Sequence, residues 1–576
     1  MVDPITVEVV RCCLEYTAEE MGIALRNAAY SPNIKERMDH SCAIFDAEGR
    51  LLAQAEHIPV HLGSMAWAIK KILEHLRSRG AELQPNDVIA VNDPFLAGTH
   101  LNDIIMIKPV FNEGNVVAYV ANRAHHVDVG GMVPGSISAH AVEVHQEGII
   151  IPPIKIVEDG VFKDDVLRMW LRNVRAPEVV VGDIRAQVAA CHVGEKRLRE
   201  LMERYNVEQL LEIFNEILRH SEKLTRLSIK KLPDFNVEAT DYLEAVEGED
   251  VIIKVSMRKQ EDEVFIDFTG SSPQVSAPLN APMGITIAAT SFVLKTILDP
   301  DLVINDGFYR PVHIIAPEGS VVNAKWPAAV GASIETAQRI VDVLYMALSK
   351  VIPKRVPAAA CGSMNNILIG GVDPESGKAW VFYETVAGGY GGRHGLDGVD
   401  AVHCNMTNTM NTPIEVIEGE LPLLFTRYEI RPGSGGAGKW RGGMGVIRSF
   451  RILAGRALVT IVGERVKRRP WGLCGGLPGE AAKYYVVRKD GSIVHLGSKG
   501  SVVVHEGDEV VVETAGGGGY GDPLERNPEA VLQDYLNGLI AAEDAVNIYG
   551  VVIKEQRIDY EETMKLRSKK RALSKS

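Results

Sequence analysis

The amino-acid sequence predicts a multidomain α+β protein. Helices and antiparallel sheets are expected in its N-terminal and middle parts, and a β-rich, glycine-rich unit near its C-terminus. Two observations support this fold class. Long segments with apolar residues three and four positions apart, such as 6–30 and 184–232, occur together with pairs of short β-branched segments. From about residue 422 the chain changes to short predicted strands separated by glycines.

Chain length sets the expected number of domains. At 576 residues the chain can hold roughly three to four domain-sized units. We divide it into an α+β domain with the candidate site, a middle α+β domain, a β-rich domain, and C-terminal helices with a basic tail. The expected boundaries are 1–235, 236–420, 421–526 and 527–576.

The individual elements follow from local patterns. Residues 6–30 form a predicted amphipathic helix that ends at Ser31-Pro32-Asn33. Two hairpins are predicted next, one with its turn at 46–49 and one with Asn112-Glu113-Gly114 between its strands. Further helices are predicted at 64–79, 164–232, 284–298 and 335–350, and from Asn527-Pro528 onward. Further strands are predicted at 250–258, 263–268, 446–452, 458–463 and 501–514.

Composition and charge narrow the class of protein. The chain is 46% hydrophobic and 24% charged, which is typical of a soluble globular protein. A net charge of -13 argues against nucleic acid or an anionic membrane as the partner. The basic tail at 564–576 runs against that balance, and we interpret it as a disordered, solvated segment. Seven cysteines without a CxxC pair, and no visible signal peptide, predict a cytoplasmic location.

The stretch 92–131 concentrates the residues that could carry chemistry. His100 and Asp103 lie just before the second hairpin, and His125 and His126 continue its second strand. Successive residues of a strand point to opposite faces, so only one of these two histidines can share a site with His100 and Asp103. Histidines with a carboxylate at short spacing suit a divalent metal with open positions. The alternative is a polar turn region whose histidines are all hydrogen-bonded.

Three glycine-rich segments imitate nucleotide-binding loops. The segment 433–440 is one residue away from the phosphate-loop pattern, because Trp440 stands where Ser or Thr must supply a hydroxyl for magnesium. The segments 387–395 and 515–523 lack GxGxxG followed by a helical pattern, so we expect close backbone packing or tight turns there. GxSxG and HExxH are both absent, which leaves serine-hydrolase and helical zinc-protease sites without support.

The chain as a whole resembles the hydantoinase B/oxoprolinase family. This family includes the B-type subunits of N-methylhydantoinase, the matching part of 5-oxoprolinase and the large subunits of acetone-type carboxylases. The resemblance covers nearly the whole chain. It is carried by NIKERMDHSCAIFD (33–46), HIPVHLGSM (57–65), NDPFLAGTHLNDI (92–104), ANRAHHVDVGG (121–131), QEGIIIPPIKI (146–156), SIETAQRI (333–340), the segment 384–418 and AGGGGYGDP (515–523).

The resemblance implies a ligand set and a division of roles. It places the metal ligands at His100, Asp103 and His125, with Asp39 as an additional carboxylate, so that His125 and not His126 is the ligand. The implied cofactor is one divalent ion, zinc or manganese. His126 or Asp128 would then orient a ligand or move a proton. Glu147 and Glu335 are further candidates, for contact with substrate.

The resemblance also implies a reaction and a partner. In this family an actin-like ATPase subunit of the hydantoinase A type phosphorylates the oxygen of a cyclic amide, and the B-type subunit supplies water activated by the metal. We therefore expect a subunit of an ATP-dependent cyclic-amide hydrolase in a hetero-oligomer, with ATP bound by the partner. One alternative is the large subunit of an acetone- or acetophenone-type carboxylase, which would depend on bicarbonate. The other is a non-catalytic scaffold.

Overall fold

The N-terminal part is a seven-stranded sheet covered by helices on both faces. The computed structural model describes residues 2–55, 57–61, 63–245 and 249–573. The sheet has the order β2-β1-β5-β4-β3-β6-β7. Its strands are β1 His40–Asp46, β2 Leu51–Gln54, β3 Val88–Val91, β4 Asp103–Asn112, β5 Asn115–His125, β6 Ile154–Glu158 and β7 Val161–Phe162. The accompanying helices are α1 Pro4–Ala28, α2 Pro32–Lys35, α3 Ser64–Ser78, α4 Pro94–Ala97, α5 Asp164–Arg172, α6 Pro177–Tyr205 and α7 Val207–Lys230.

Side-chain alternation along the strands builds two hydrophobic cores. Ile104 and Met106 of β4 belong to the core beneath α1 and α6. Ile105 and Ile107 belong to the core beneath α3. Because both faces are covered, the strand is apolar at nearly every position, as expected for a fully buried strand. The predicted second hairpin is confirmed, with Glu113 and Gly114 both at positive φ in its two-residue turn.

The middle part pairs a four-stranded sheet with two long helices. The sheet has the order β11-β10-β9-β8, with β8 Phe235–Leu243, β9 Val251–Gln260, β10 Glu263–Asp267 and β11 Val312–Ile315. Strands β10 and β11 are parallel, whereas the other strand pairs of this sheet are antiparallel in the described ranges. The helices are α8 Met283–Leu298, α9 Asp306–Tyr309 and α10 Ser333–Ser349. The predicted helices at 284–298 and 335–350 are therefore confirmed.

Two more sheets form the C-terminal part. One has the order β13-β12-β16-β19 and the other the order β14-β15-β20-β17-β18. Their strands are β12 Asn366–Val372, β13 Ala379–Thr385, β14 Leu423–Ile430, β15 Val446–Ile452, β16 Arg456–Val462, β17 Lys483–Val487, β18 Ile493–His495, β19 Lys499–His505 and β20 Glu509–Glu513, with α11 Ile414–Glu420 before β14. Strand β12 precedes residue 420 and β16 follows it, yet the two strands pair in one sheet. The domain division proposed at that residue remains a prediction.

The chain ends in a small helical segment. It contains α12 Pro528–Leu536, α13 Ala542–Asn547, the short strands β21 Ile553–Lys554 and β22 Arg557–Ile558, and α14 Tyr560–Leu573. The expectation of a disordered basic tail is wrong for 564–573, because Arg567 donates hydrogen bonds to the carbonyls of Tyr549 and Arg526. Residues 574–576 of that tail lie outside the described residues. No helix within the described ranges is long and apolar enough to cross a lipid bilayer.

The glycine-rich segments pack backbone against backbone. The amide of Gly389 donates to Ala515, Gly443 donates to Tyr390 and Gly517 donates to Gly443. A Cβ atom on Gly389 would lie 1.9 Å from the carbonyl oxygen of Gly443, which is far inside a contact distance. Segments 387–395, 433–445 and 515–519 therefore approach more closely than any side chain permits. The prediction of close backbone packing is confirmed.

Candidate metal centre

The hairpin β4–β5 brings the candidate ligands together by its register. Asp103, the first residue of β4, pairs with His125, the last residue of β5. His100 lies in the turn that leads into β4. The strand β1 pairs with the other edge of β5, and this places Asp39 next to His125, whose amide donates to the carbonyl of Asp39. Met38, just before Asp39, has φ 55, a conformation that turns the chain sharply between α2 and β1.

Three side chains converge at the end of this hairpin. The ligand atoms of His100, Asp103 and His125 all lie within 4.8 Å of one another. His100 Nε2 is 3.1 Å from His125 Nδ1, and Asp103 Oδ1 is 3.3 Å from the same atom. All three residues are buried. Among the described residues this is the group with the geometry of a metal site, and its members are the three ligands that the resemblance implies.

The chemistry of these side chains fits a divalent cation. Burial lowers the pKa of His100 to about 4, so its imidazole is neutral and able to act as a ligand. Burial opposes a negative charge on Asp103, but the surrounding histidines His100, His125 and His61 outweigh it and hold the pKa of Asp103 well below its usual value. Asp103 Oδ2 and His125 Nε2 are buried and have no hydrogen-bond partner among the described residues. A bound cation would satisfy such atoms.

Asp39 and His61 stand beside this group. The Asp39 carboxylate lies 3.9 Å from Nη2 of the fully buried Arg37. It is not among the three residues whose ligand atoms converge. His61 Nε2 lies 3.7 Å from Asp103 Oδ2, and its Nδ1 is 2.9 Å from the hydroxyl of Ser41. No role was assigned to His61 from the sequence, because no local pattern connects it to the hairpin.

The two neighbouring histidines face opposite sides of the sheet. His126 Nε2 is 2.9 Å from the Gln187 side-chain oxygen on α6. The same glutamine donates to the side chain of Asn122 and to the carbonyl of Ile104, so α6 holds this face of the strand. His125 lies on the other face with Asp103. Alternation along β5 therefore separates the roles of His125 and His126.

The remaining predicted residues have structural partners of their own. The Asp128 carboxylate accepts hydrogen bonds from the amides of Gly130 and Gly135 and is paired with Arg175 at 2.9 Å. These contacts hold together the loop that follows β5. Asp128 is therefore engaged in that loop, away from the three converging ligand atoms.

Glu147 and Glu335 are buried carboxyl groups that fix backbone segments. Glu147 accepts from the amides of Val330 and Gly331, and burial raises its pKa to about 8. Glu335 Oε1 accepts from the amide of Met364 and from the side chain of Asn366, and burial raises its pKa to about 7. Both groups tie the middle part of the chain to its neighbours. Their predicted contact with substrate stays a prediction.

In the phosphate-loop-like segment 433–440, backbone amides donate hydrogen bonds to carbonyls of another glycine-rich segment. The amides of Gly436, Lys439 and Trp440 donate to the carbonyls of Gly517, Gly521 and Tyr520 respectively. Lys439 Nζ lies 3.2 Å from Glu525. A phosphate loop needs free amides that point at the ligand. The packing therefore supports the interpretation of this segment as a structural one.

Comparison with known proteins places this chain in one family. The family model described as hydantoinase B/oxoprolinase matches residues 3–523. An uncharacterised protein of Methanocaldococcus jannaschii is 48% identical, with 98% of this chain and 100% of that protein covered. A Pseudomonas sp. protein, provisionally named as the B component of a D-/L-hydantoinase, is 36% identical, with 98% of each covered. The chain belongs to the hydantoinase B/oxoprolinase family.

A longer relative and two solved structures complete the comparison. The 5-oxoprolinase of Dictyostelium discoideum is 33% identical over 90% of this chain, which spans only 40% of that protein. An ATP-dependent caprolactamase from Pseudomonas jessenii has a TM-score of 0.92 and 32% identity, covering 99% of this chain and 100% of the other. A nucleotide-free acetone carboxylase also has a TM-score of 0.92, at 22% identity, covering 100% of this chain and 84% of the other. The latter likeness shows a shared fold.

Proposed function

We propose that this chain is the metal-dependent subunit of an ATP-dependent cyclic-amide hydrolase. The convergence of His100, Asp103 and His125 in a buried position carries the proposal. Family membership supports it, and so do a relative named as a component of a hydantoinase and a structural neighbour named as a caprolactamase. A divalent ion in this position would act as a Lewis acid, polarising a carbonyl and lowering the pKa of water. The residue types suit zinc or manganese.

The chain's own residues supply binding and orientation. His100, Asp103 and His125 would hold the ion, and Asp39 lies next to His125 as a further carboxylate. Burial of all four residues keeps bulk water away and strengthens electrostatic interactions within the site. His126 and Asp128 would act indirectly, by holding the strand end and the loop that carry His125.

ATP would be used by a partner subunit. An amide carbon is a poor electrophile, and phosphorylation of the amide oxygen would convert that oxygen into a leaving group. Because its amides donate to backbone carbonyls of 517–521, the segment 433–440 is not a credible phosphate loop. The 5-oxoprolinase relative is much longer than the region matched here, so its ATP-dependent step would reside in its remaining part. An actin-like ATPase of the hydantoinase A type is the proposed partner, in a cytoplasmic hetero-oligomer.

The test is reconstitution of the complex. The purified chain should contain about one zinc or manganese ion by elemental analysis, and alone it should hydrolyse no ATP. With its ATPase partner, ATP hydrolysis should depend on a cyclic amide and should be lost on removal of the metal. Full activity of a metal-free complex would contradict the proposal. A requirement for bicarbonate, with a ketone as substrate, would instead identify the carboxylase alternative.

A further inference from the structure

Tyr383 reaches the metal centre from a different sheet. It lies on β13, in the sheet with β12, β16 and β19, far along the chain from the β4–β5 hairpin. Its ring stacks on the imidazole of His125, with centroids 4.7 Å apart and planes 22° apart. Tyr383 is 3% exposed and His125 is 2% exposed, so the contact between them is shielded from bulk solvent. The C-terminal part of the chain thus forms one wall of the site.

The ring of Tyr383 is held at its far end by a hydrogen-bonded chain. Its hydroxyl donates to Asn366 Oδ1 at 2.9 Å. Asn366 in turn donates to Glu335 Oε1 at 3.0 Å and to the carbonyl of Val462 at 2.8 Å. Asn366 and Glu335 are both completely buried. A buried hydrogen-bonded chain of this kind restricts the ring to one orientation.

Arg37 adds a third contact to the same tyrosine. Its guanidinium carbon lies 4.6 Å from the centroid of the Tyr383 ring, which is the range of a cation–π interaction. Arg37 Nη1 also donates to the Tyr383 carbonyl at 3.4 Å. The same guanidinium is paired with Asp39. Tyr383 therefore contacts one proposed ligand directly and is one residue removed from another.

The need for such a contact follows from the surroundings of His125. A histidine that binds a metal is normally oriented by a hydrogen bond from its second ring nitrogen to a carboxylate or a carbonyl. His125 Nδ1 faces His100 and Asp103, whereas Nε2 is buried with no hydrogen-bond partner among the described residues. If Nδ1 binds the ion, Nε2 has no partner, and if Nε2 binds it, the neighbours of Nδ1 are the other two proposed ligands. In either case no hydrogen bond from outside the ligand set orients the ring among the described residues. The stacked ring of Tyr383 occupies the place where a restraint is needed.

We propose that Tyr383, anchored through Asn366, is a positioning residue that orients His125 and so determines the affinity of the centre for its divalent ion. The inference rests on the proposed function, because it assumes that the three converging residues hold a metal. It means that the C-terminal sheet, through Tyr383, restrains a ligand that belongs to the N-terminal sheet. The hydroxyl matters as well as the ring, because the hydroxyl fixes the plane of the stack.

Two variants separate the ring from its anchor. Tyr383→Leu removes the stack, and Tyr383→Phe keeps an aromatic ring but loses the bond to Asn366. Tyr484→Phe is the matched control, because Tyr484 is a buried tyrosine whose hydroxyl donates to the neighbouring Asn365 at 2.6 Å. That control loses an equivalent hydrogen bond in the same part of the fold. It leaves the stack on His125 intact.

The measurement is Co²⁺ binding to the full chain. Affinity is obtained by competition with a chromophoric chelator, and ligand geometry from the Co²⁺ absorption spectrum. Tyr383→Leu should lose about 10–100-fold in affinity, the usual effect of removing a group that orients a ligand. Tyr383→Phe should lose less, about 3–10-fold, which corresponds to the net contribution of one hydrogen bond, with a shifted spectrum. Tyr484→Phe should match the wild type, and circular dichroism checks that each variant is folded.

The outcomes distinguish this inference from the proposed function. If the wild type binds Co²⁺ and Tyr383→Phe has the same affinity and the same spectrum, the positioning role is overturned. A folded Tyr383→Leu variant with wild-type binding overturns it as well. A wild-type chain that binds no Co²⁺, Zn²⁺ or Mn²⁺ would instead overturn the proposed metal centre itself.

Discussion

His125 and His126 are neighbours in the chain but have different surroundings, so their substitutions should have different effects. His125→Ala removes one of the three converging ligand atoms, so the divalent ion should be lost. His126→Ala leaves the three atoms in place and should keep most of the metal. It should cost about 1–3 kcal/mol of unfolding free energy, because the buried Gln187 oxygen loses its partner. Elemental analysis and urea unfolding of both variants measure these effects, and equal metal loss in the two would contradict the assignment.

The glycine-rich segments should not tolerate a side chain where their backbones are in contact. A Cβ on Gly389 would lie 1.9 Å from the Gly443 oxygen and 2.5 Å from the Gly517 nitrogen, both of which are backbone atoms. Gly389→Ala should therefore destabilise the protein by about 3 kcal/mol or more, since whole segments must move apart. Gly419→Ala in α11 is the control, because a Cβ there meets nothing within 4 Å. It should be neutral or stabilising by up to about 1 kcal/mol. Thermal unfolding compares the two, and similar melting temperatures would refute the packing argument.

Glu335 joins α10 of the middle part to the β12 region of the C-terminal part. Its protonation should therefore affect the unfolding free energy of the whole molecule. Burial, reinforced by repulsion from Glu464, raises its pKa from 4.5 to about 7. The folded state then holds a proton that the unfolded state releases. Unfolding free energy should therefore fall as pH rises through this window, by up to about 3 kcal/mol, and level off above it.

The matched variant for this prediction is Glu335→Gln. Its amide oxygen can still accept from Met364 and Asn366, but the side chain cannot ionise. The urea midpoints of wild type and variant should converge near pH 5 and diverge toward pH 8, with the variant more stable at the higher pH. Parallel curves over this range would show that Glu335 does not titrate as its burial requires.

Much of the local structure could be predicted from sequence because its causes are local. The helix from Pro4 begins where Asp3 accepts from the amide of Thr6, and the hairpin turn has a glycine, Gly114, at a position of positive φ. The basic tail was predicted wrongly, because its docking depends on carbonyls of Arg526 and Tyr549, which composition does not reveal. His61 was missed for the same reason, since its proximity to Asp103 arises only when a loop folds over the hairpin.

Sequence patterns were sufficient for the fold class and for most of the helices and strands, and family resemblance proposed a ligand set, three members of which the fold brings together. These depend on periodicity, turn residues and motif spacing, which are properties of neighbouring residues. The folded chain was needed to show which face of β5 meets α6, and hence that His125 faces Asp103 while His126 faces Gln187. It was needed as well to find Tyr383 stacked on His125 from another sheet. Tyr383 and His125 are more than two hundred positions apart, and no local pattern encodes their contact because it arises from how separately formed sheets pack.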